Sequence, residues 1–212
     1  EGNVRLGGMV SGTGGLTKSG TGLLFLEGNG FNTYEGVTRV NEGRLLLDKS
    51  AIPAIPNGEL IIGDGVGGAD ADRVIASRNS QIGTIPITFF SSGLLDLDGF
   101  DDTVGAIEFS GGRISTGGEL TIGTLTLGGN VTVNSTGRSI IDGQVQILAT
   151  RTFHVANSSA SPDCELRAAV MGAGGIIKNG AGALGLYGSN TFTGEVSVND
   201  GLLYTYHPMA LG

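Results

Sequence analysis

The sequence holds no tryptophan, one cysteine, two histidines and five prolines in 212 residues. A lone cysteine, Cys164, cannot close an internal disulfide, so cysteine usage leaves the redox compartment open. The histidines, His154 and His207, form no zinc-ligand spacing, and no Gly-x-Ser-x-Gly element is present, so the usual sequence marks of a hydrolase or a zinc enzyme are missing. Charge is scarce at 15% of residues and acidic in balance, with a net −8. Arg39, Arg44, Lys49, Arg73 and Arg78 are scattered, whereas phosphate backbones and anionic lipid surfaces call for clustered cations. Nucleic acid is therefore not an expected partner. No apolar run approaches membrane-spanning length, so membrane insertion of this segment is not expected either. Glu1 begins in the middle of a pattern with no signal peptide, which reads as an excerpt from a longer protein.

What is abundant is glycine, 40 residues, against a hydrophobic content of 39%. The glycines have no strict third-residue period, which excludes collagen. The apolar content is too high for a disordered chain. Few Lys and Glu beside many Gly, Thr, Val, Leu and Ile describe an all-β chain with many turns.

The glycines also repeat over a long range. Gly12, Gly14, Gly15, Lys18, Gly20, Gly22, Leu24, Leu26 and Gly28 recur 160 residues later as Gly172, Gly174, Gly175, Lys178, Gly180, Gly182, Leu184, Leu186 and Gly188. Two residues then drop out. At an offset of 158, Asn32, Thr33, Tyr34, Gly36, Val40, Gly43 and Leu45 meet Asn190, Thr191, Phe192, Gly194, Val198, Gly201 and Leu203. The weaker match of residues 4–10 to 164–170 sets one copy at about 4–163 and a second, truncated copy at 164–212, with the strongest motifs at 12–47 and 172–204. A repeat of this kind decides the fold before local detail does.

Between the copies run short alternating segments closed by Gly or Asn, the signature of half-buried strands. They include residues 59–62, 73–75, 85–90, 94–97, 106–109, 120–122, 125–127, 131–133, 139–141, 145–147 and 153–155. Pro53 and Pro56 mark a loop over 51–58, and Pro86 suggests an edge or a bulge. A sandwich closes a fixed set of strands. A solenoid lengthens by adding turns, and the long-range repeat favours it. The expectation is one continuous right-handed parallel β-helix over residues 1–212, of about ten turns of roughly 20 residues, a rod on the order of 50 Å long.

The segments Gly14-Gly15-Leu16-Thr17-Lys18-Ser19-Gly20-Thr21-Gly22 and Asn32-Thr33-Tyr34-Glu35-Gly36-Val37-Thr38-Arg39-Val40, followed by Gly43 and Leu45, resemble the autotransporter-associated β-strand repeat, also called the passenger-associated transport repeat. Residues 174–201 resemble it again. The resemblance implies a right-handed parallel β-helix in the passenger of a very large bacterial surface or secreted protein, with a part in passenger folding and export.

Candidate chemistry is sparse. Asp64, Asp70 and Asp72 lie in a glycine-rich loop of the kind that can wrap calcium. The calcium repeats of β-rolls come in tandem, whereas this loop occurs once, and a solvated turn is the expected state. Asp96, Asp98, Asp101 and Asp102 fail the EF-hand pattern, because the sixth and twelfth places hold Asp101 and Ile107. Asp96 is read as outward on a strand and Gly99 as a turn. His154 should face out, since Phe153 and Val155 alternate with it. Cys164 falls on the repeat position of Val4 and reads as a small buried hydrophobe. Tyr34 and Phe192 share one repeat position, which points to packing; with Tyr187, Tyr204 and Tyr206 they are also candidates for stacking on sugar. No catalytic, metal or cofactor residue is assigned, and no cofactor is expected. The function expected is a structural rod of an extracellular or cell-surface bacterial protein, able to associate end to end or laterally into filaments. The alternatives are an adhesin for glycan or a host surface and, with least support, a polysaccharide-degrading enzyme.

Overall fold

The computed structural model describes residues 2–50, 52–134 and 137–212. Ala51, where the predicted 51–58 loop begins, lies outside the described residues, as does Glu1. Every strand pairing is parallel, and the chain coils into a β-solenoid of about nine turns with no helix among the described residues.

Two walls run the length of the coil. The first has ten strands: Val4–Leu6, Leu23–Gly28, Gly43–Lys49, Asp72–Ala76, Gly93–Asp96, Gly112–Ser115, Ser139–Asp142, Cys164–Leu166, Ala183–Leu186 and Leu202–Thr205. The second has nine: Leu16–Lys18, Thr38–Val40, Leu60–Ile62, Ile87–Phe90, Ile107–Ser110, Val131–Val133, Arg151–Val155, Ile176–Asn179 and Val196–Val198. A third wall is a sheet only in the middle turns, with strands Asp102–Val104, Thr124–Leu127, Gln144–Gln146 and Ala169–Met171.

The interior is built from ladders. Alternate residues of a strand face one way, so parallel in-register pairing puts like on like. Leu24, Leu45, Val74, Leu95, Ile114, Ile141, Leu166 and Leu186 are successive partners in the first wall, and all are buried. Phe89 and Phe109 stack on adjacent rungs of the second wall with ring centroids 4.8 Å apart. The rungs are uneven. Partners in the first wall lie 19 residues apart from Leu95 to Ile114, but 29 apart from Leu45 to Val74, where residues 63–71 loop out.

The repeat and the ladder do not coincide. Leu24 corresponds to Leu184 by repetition, yet its ladder arrives at Leu186. In the second wall the ladder from Leu16 arrives at Lys178 rather than at Ile176. Both walls slide by the same two residues. An even slip keeps every inward side chain inward, whereas a slip of one would turn the core out to solvent.

Two expectations need correction. The segment 120–122 is not a strand. Leu120 is 95% exposed, and Ile122 makes only an isolated antiparallel bridge to Gly117. Alternation over three residues was too short to separate a strand from a loop. Pro86 interrupts nothing, because its strand starts at Ile87, and the Pro86 carbonyl still accepts from Leu60 N–H at 3.1 Å.

Candidate functional site

In both copies the motif residues turn out to be staples that hold one turn to the next. The lysine of each copy lies inside the coil. Lys178 Nζ donates to three carbonyls, those of Asn179 at 2.8 Å, Gly180 at 2.6 Å and Asp200 at 3.1 Å. Lys18 Nζ does the same with Ser19 at 3.3 Å, Glu42 at 2.9 Å and Gly20. These carbonyls line the corner between the second and first walls, where no strand partner exists to satisfy them. Burial lowers both lysine pKa values; for Lys18 the Glu42 and Asp72 charges oppose that shift, and for Lys178 those of Asp200 and Asp163 oppose it. The same corner needs glycine at Gly43 and Gly201, at φ 77° and 72°, because a Cβ there would fall on the backbone carbonyls of the turn below.

On the third side, where the end turns have no strand, side-chain amides replace the ladder. Asn32 Oδ1 accepts from Val10 N–H at 2.9 Å, and its Nδ2 donates to Ala54 O at 2.7 Å. Asn190 repeats the bridge between Val170 N–H at 2.8 Å and Ala210 O at 2.6 Å. Asp102 closes the lower edge of the short third sheet. Its Oδ2 accepts from Gln81 and Ile82 N–H at 2.9 and 3.1 Å, and its Oδ1 from Thr103 N–H at 2.9 Å. Burial, opposed by these three donors, pushes its pKa up to about 7. Sequence reasoning missed this role. The only available signal was that Asp102 sits two residues before Val104, on the inward phase of a strand.

The predicted candidates then separate. Asp70 sits at φ 58° and faces Arg113 at 3.7 Å, while Asp64 Oδ1 accepts from Val66 N–H at 2.8 Å and closes its own loop. Asp72 is inward and buried, with Oδ2 lacking a partner. Among the described residues no group of three or more His, Cys, Asp or Glu is placed to hold a metal ion. Asp96 Oδ1 accepts from Asp98 N–H, and Asp101 Oδ1 from Thr124 N–H, so each serves a turn. His154 is exposed on the second wall, and His207 follows the last strand of the first, where its Nδ1 accepts from Met209 N–H. Cys164 is fully buried, and burial pushes its thiol up to about 12, far from reactive thiolate.

The five aromatic candidates form two sets. Tyr34 and Phe192 are 2% exposed and fill the third side of their turns. Tyr34 OH pairs with Thr38 Oγ1 at 2.7 Å. The second copy places Phe192 and Val196 at those positions, so both hydroxyls vanish together. Tyr187, Tyr204 and Tyr206 stand on the outside of the first wall. The Tyr187 and Tyr206 rings stack at 4.2 Å and 11°, and Tyr204 is tilted 6.0 Å from Tyr206. Gly185 makes room for them, since a Cβ there would lie 2.9 Å from Tyr187 and 3.2 Å from Tyr206. Beside them Glu165 is held by Arg138 at 3.1 Å and Arg167 at 2.5 Å.

A lateral cleft of about 710 Å³ opens where the 63–71 loop overhangs the corner of the first copy. Asn41, Glu42, Arg44, Asp64, Asp72 and Arg73 supply its polar walls.

Comparison with known proteins follows the same division of the chain. Residues 16–47 and 176–204 match the passenger-associated-transport-repeat family. These are the two stretches that carry the lysine, asparagine and glycine staples. The chain is also similar to the adhesin BmaC autotransporter of Brucella suis biovar 1 (strain 1330), at 29% identity over 236 aligned residues. That alignment covers 87% of this chain and 7% of the relative's length. No solved structure matches.

Proposed function

We propose, for a chain carrying two passenger-associated transport repeats, that it serves as a structural rod segment in the passenger of a large secreted or cell-surface bacterial protein. Its work is mechanical: it folds turn upon turn and holds other parts of that protein away from the surface that anchors it. One observation carries this reading. Each repeat uses its lysine and its asparagine to bridge one turn to the next, which is the arrangement of a motif built for stacking. In a solenoid every turn already in place is a template for the next, which suits a chain that emerges from a membrane in one direction.

The test is surface delivery. The chain is fused ahead of an outer-membrane translocator barrel in a Gram-negative host, and protease is added to intact cells. The expected result is a protease-resistant segment on the outside. Double replacement of Gly43 and Gly201 by Val should leave the segment cleaved or held inside. Equal delivery and equal resistance of the variant would refute the reading.

A second reading, adhesive contact with a glycan or host surface, is favoured by exposed Tyr204 and Tyr206, stacked with half-buried Tyr187, and by the relative named an adhesin. Aromatic faces suit such contacts because they bring large area with little conformational entropy to lose. Binding of the chain to host cells that survives Tyr206→Ser and Tyr187→Ser would remove the stack from consideration. End-to-end or lateral assembly into filaments is a further consequence of the rod reading, checked by electron microscopy at rising concentration.

A further inference from the structure

A line of apolar side chains stands outside the coil and takes no part in stacking its turns. It follows the corner that leads from the first wall to the third side. Met9, Phe31 and Ile52 come from three successive turns, and all are exposed. The fourth turn is polar there, with Arg78 and Asn79. Above it the line resumes with half-buried Phe100 in the fifth turn and exposed Leu120 and Ile122 in the sixth. Backbone bonds fix these turns one upon another. Thr33 N–H donates to Val10 O at 2.8 Å, Ser50 N–H to Gly28 O at 3.0 Å and Ser80 N–H to Asp101 O at 2.8 Å. Leu120 sits at the tip of a tight hairpin, closed by Gly118 N–H to Thr121 O and Gly123 N–H to Thr116 O, both at 2.8 Å. Gly123 packs directly on the Phe100 carbonyl. The hairpin's own bonds therefore hold Leu120 out in solvent, at 95% exposure. Five steps of about 4.8 Å make this ridge roughly 24 Å long. An exposed apolar ridge of that extent is the mark of an interaction site.

We propose that this ridge pairs with the same ridge of a second copy of the chain, antiparallel, about a two-fold axis between the third and fourth turns. The pattern fits itself in that orientation. A groove of about 480 Å³ opens at the polar turn, lined by Ile52 and Phe100 and by Arg78 and Asn79. Ile52 of the second copy meets this groove, its Phe31 meets Phe100, and its Met9 meets Leu120 and Ile122. Charge selects the same orientation. Asp98, Asp101 and Glu119 are exposed beside the upper half of the ridge, and Arg5 beside the lower half. Parallel pairing would set the three acids against themselves and Arg78 against Arg78, and like charges so placed repel. Antiparallel pairing sets Glu119 against Arg5, and Arg78 against Asp48, the residue it already pairs with inside the chain. The same acids repel an anionic lipid surface. Six side chains from each copy, at roughly 100 Å² apiece, bury on the order of 1,200 Å² in all, the lower edge of a specific interface. The pair is therefore a reversible one, with a dissociation constant on the order of 10 µM. This deepens the lateral assembly that follows from the rod reading, with one difference: a two-fold contact closes on itself and gives pairs, not filaments. It is tested on the purified chain, so a monomeric chain would leave surface delivery untouched, and failed delivery would leave the pairing.

The test is sedimentation velocity over a concentration range from about 1 to 300 µM, wide enough to span a weak interface. The average mass should rise from 21.4 kDa toward twice that value and stop there. Leu120→Asp and Phe31→Asp, both at exposed sites, should each weaken pairing at least about tenfold while the urea midpoint stays at the wild-type value. Disulfide trapping reads the orientation, and buried Cys164 does not compete in it. A mixture of Met9→Cys and Leu120→Cys chains should cross-link, whereas neither variant should cross-link by itself. The proposal is overturned if the chain stays monomeric, if its mass passes the dimer, or if both Asp variants pair as wild type does. It is also overturned if Leu120→Cys chains cross-link among themselves, if the mixture does not cross-link, or if the ridge instead carries monomers onto neutral phosphatidylcholine vesicles in a flotation assay.

Discussion

Tyr34 and Thr38 offer a double-mutant cycle whose outcome the second copy has already written. Tyr34 OH and Thr38 Oγ1 are 2.7 Å apart in a site where Tyr34 is 2% exposed and Thr38 fully buried. Tyr34→Phe leaves the threonine oxygen without a partner, and Thr38→Val leaves the phenol without one. Each single change should cost about 1–2 kcal/mol, the usual penalty for one buried orphan. The double variant has no orphan. It also has the Phe and Val of positions 192 and 196, so it should lose no more than about 0.5 kcal/mol. The coupling is then on the order of 1–2 kcal/mol, well above the error of independent sites. Urea denaturation gives the four free energies, and exchange of the Thr38 amide, which donates to Glu59 O at 2.9 Å, reads the same turn locally. If the two single losses simply add in the double variant, the hydroxyls do not depend on each other and the reasoning fails.

Three further outcomes follow from the staples. Asn190→Leu removes both ends of a buried bridge and should destabilise by about 2–4 kcal/mol in urea, with the Val170 amide exchanging early. Gly43→Ala should cost more than about 2 kcal/mol, because it adds both a positive-φ penalty and a clash with backbone carbonyls; thermal melts of this variant beside an Ala substitution at exposed Gly14 separate the two kinds of glycine. Asp102 has a folded pKa of about 7, raised above its unfolded value, so its contribution is full below about pH 4 and is lost as pH rises through 7. Wild-type stability should therefore fall between about pH 4 and 7 by an amount that Asp102→Asn no longer shows; the same pH dependence of urea stability in the two proteins across that range would contradict it.

The fold could be read from the sequence because a solenoid writes its geometry into periodicity. Leu24 and Leu26 alternate, close at Gly28 and return as Leu184 and Leu186, and such a pattern has no use in a fold that cannot be extended. Turn length was less legible. A turn of roughly 20 residues suits the copies, but residues 63–71 and the stretch around Leu120 loop outward without changing the register of the core. Nothing local marks whether Leu120-Thr121-Ile122 lies in the wall or on a loop. The site was harder still. Asp64, Asp70 and Asp72 drew notice as a cluster, yet positive φ at Asp70 turns it toward Arg113 while the strand phase carries Asp72 inward. Lys18 and Asn32 were visible as repeated residues, but their carbonyl and amide partners lie on other turns, a relation that spacing along the chain does not show.

The account rests on each strand lying parallel and in register with the strand one turn away. Nuclear Overhauser contacts around Glu108 test that most directly. Parallel stacking predicts cross-strand backbone contacts from Glu108 to Thr88 on one side and to Thr132 on the other, continuing from Thr132 to His154. Strong Hα–Hα contacts between these neighbours, the pattern of antiparallel pairs, would contradict it.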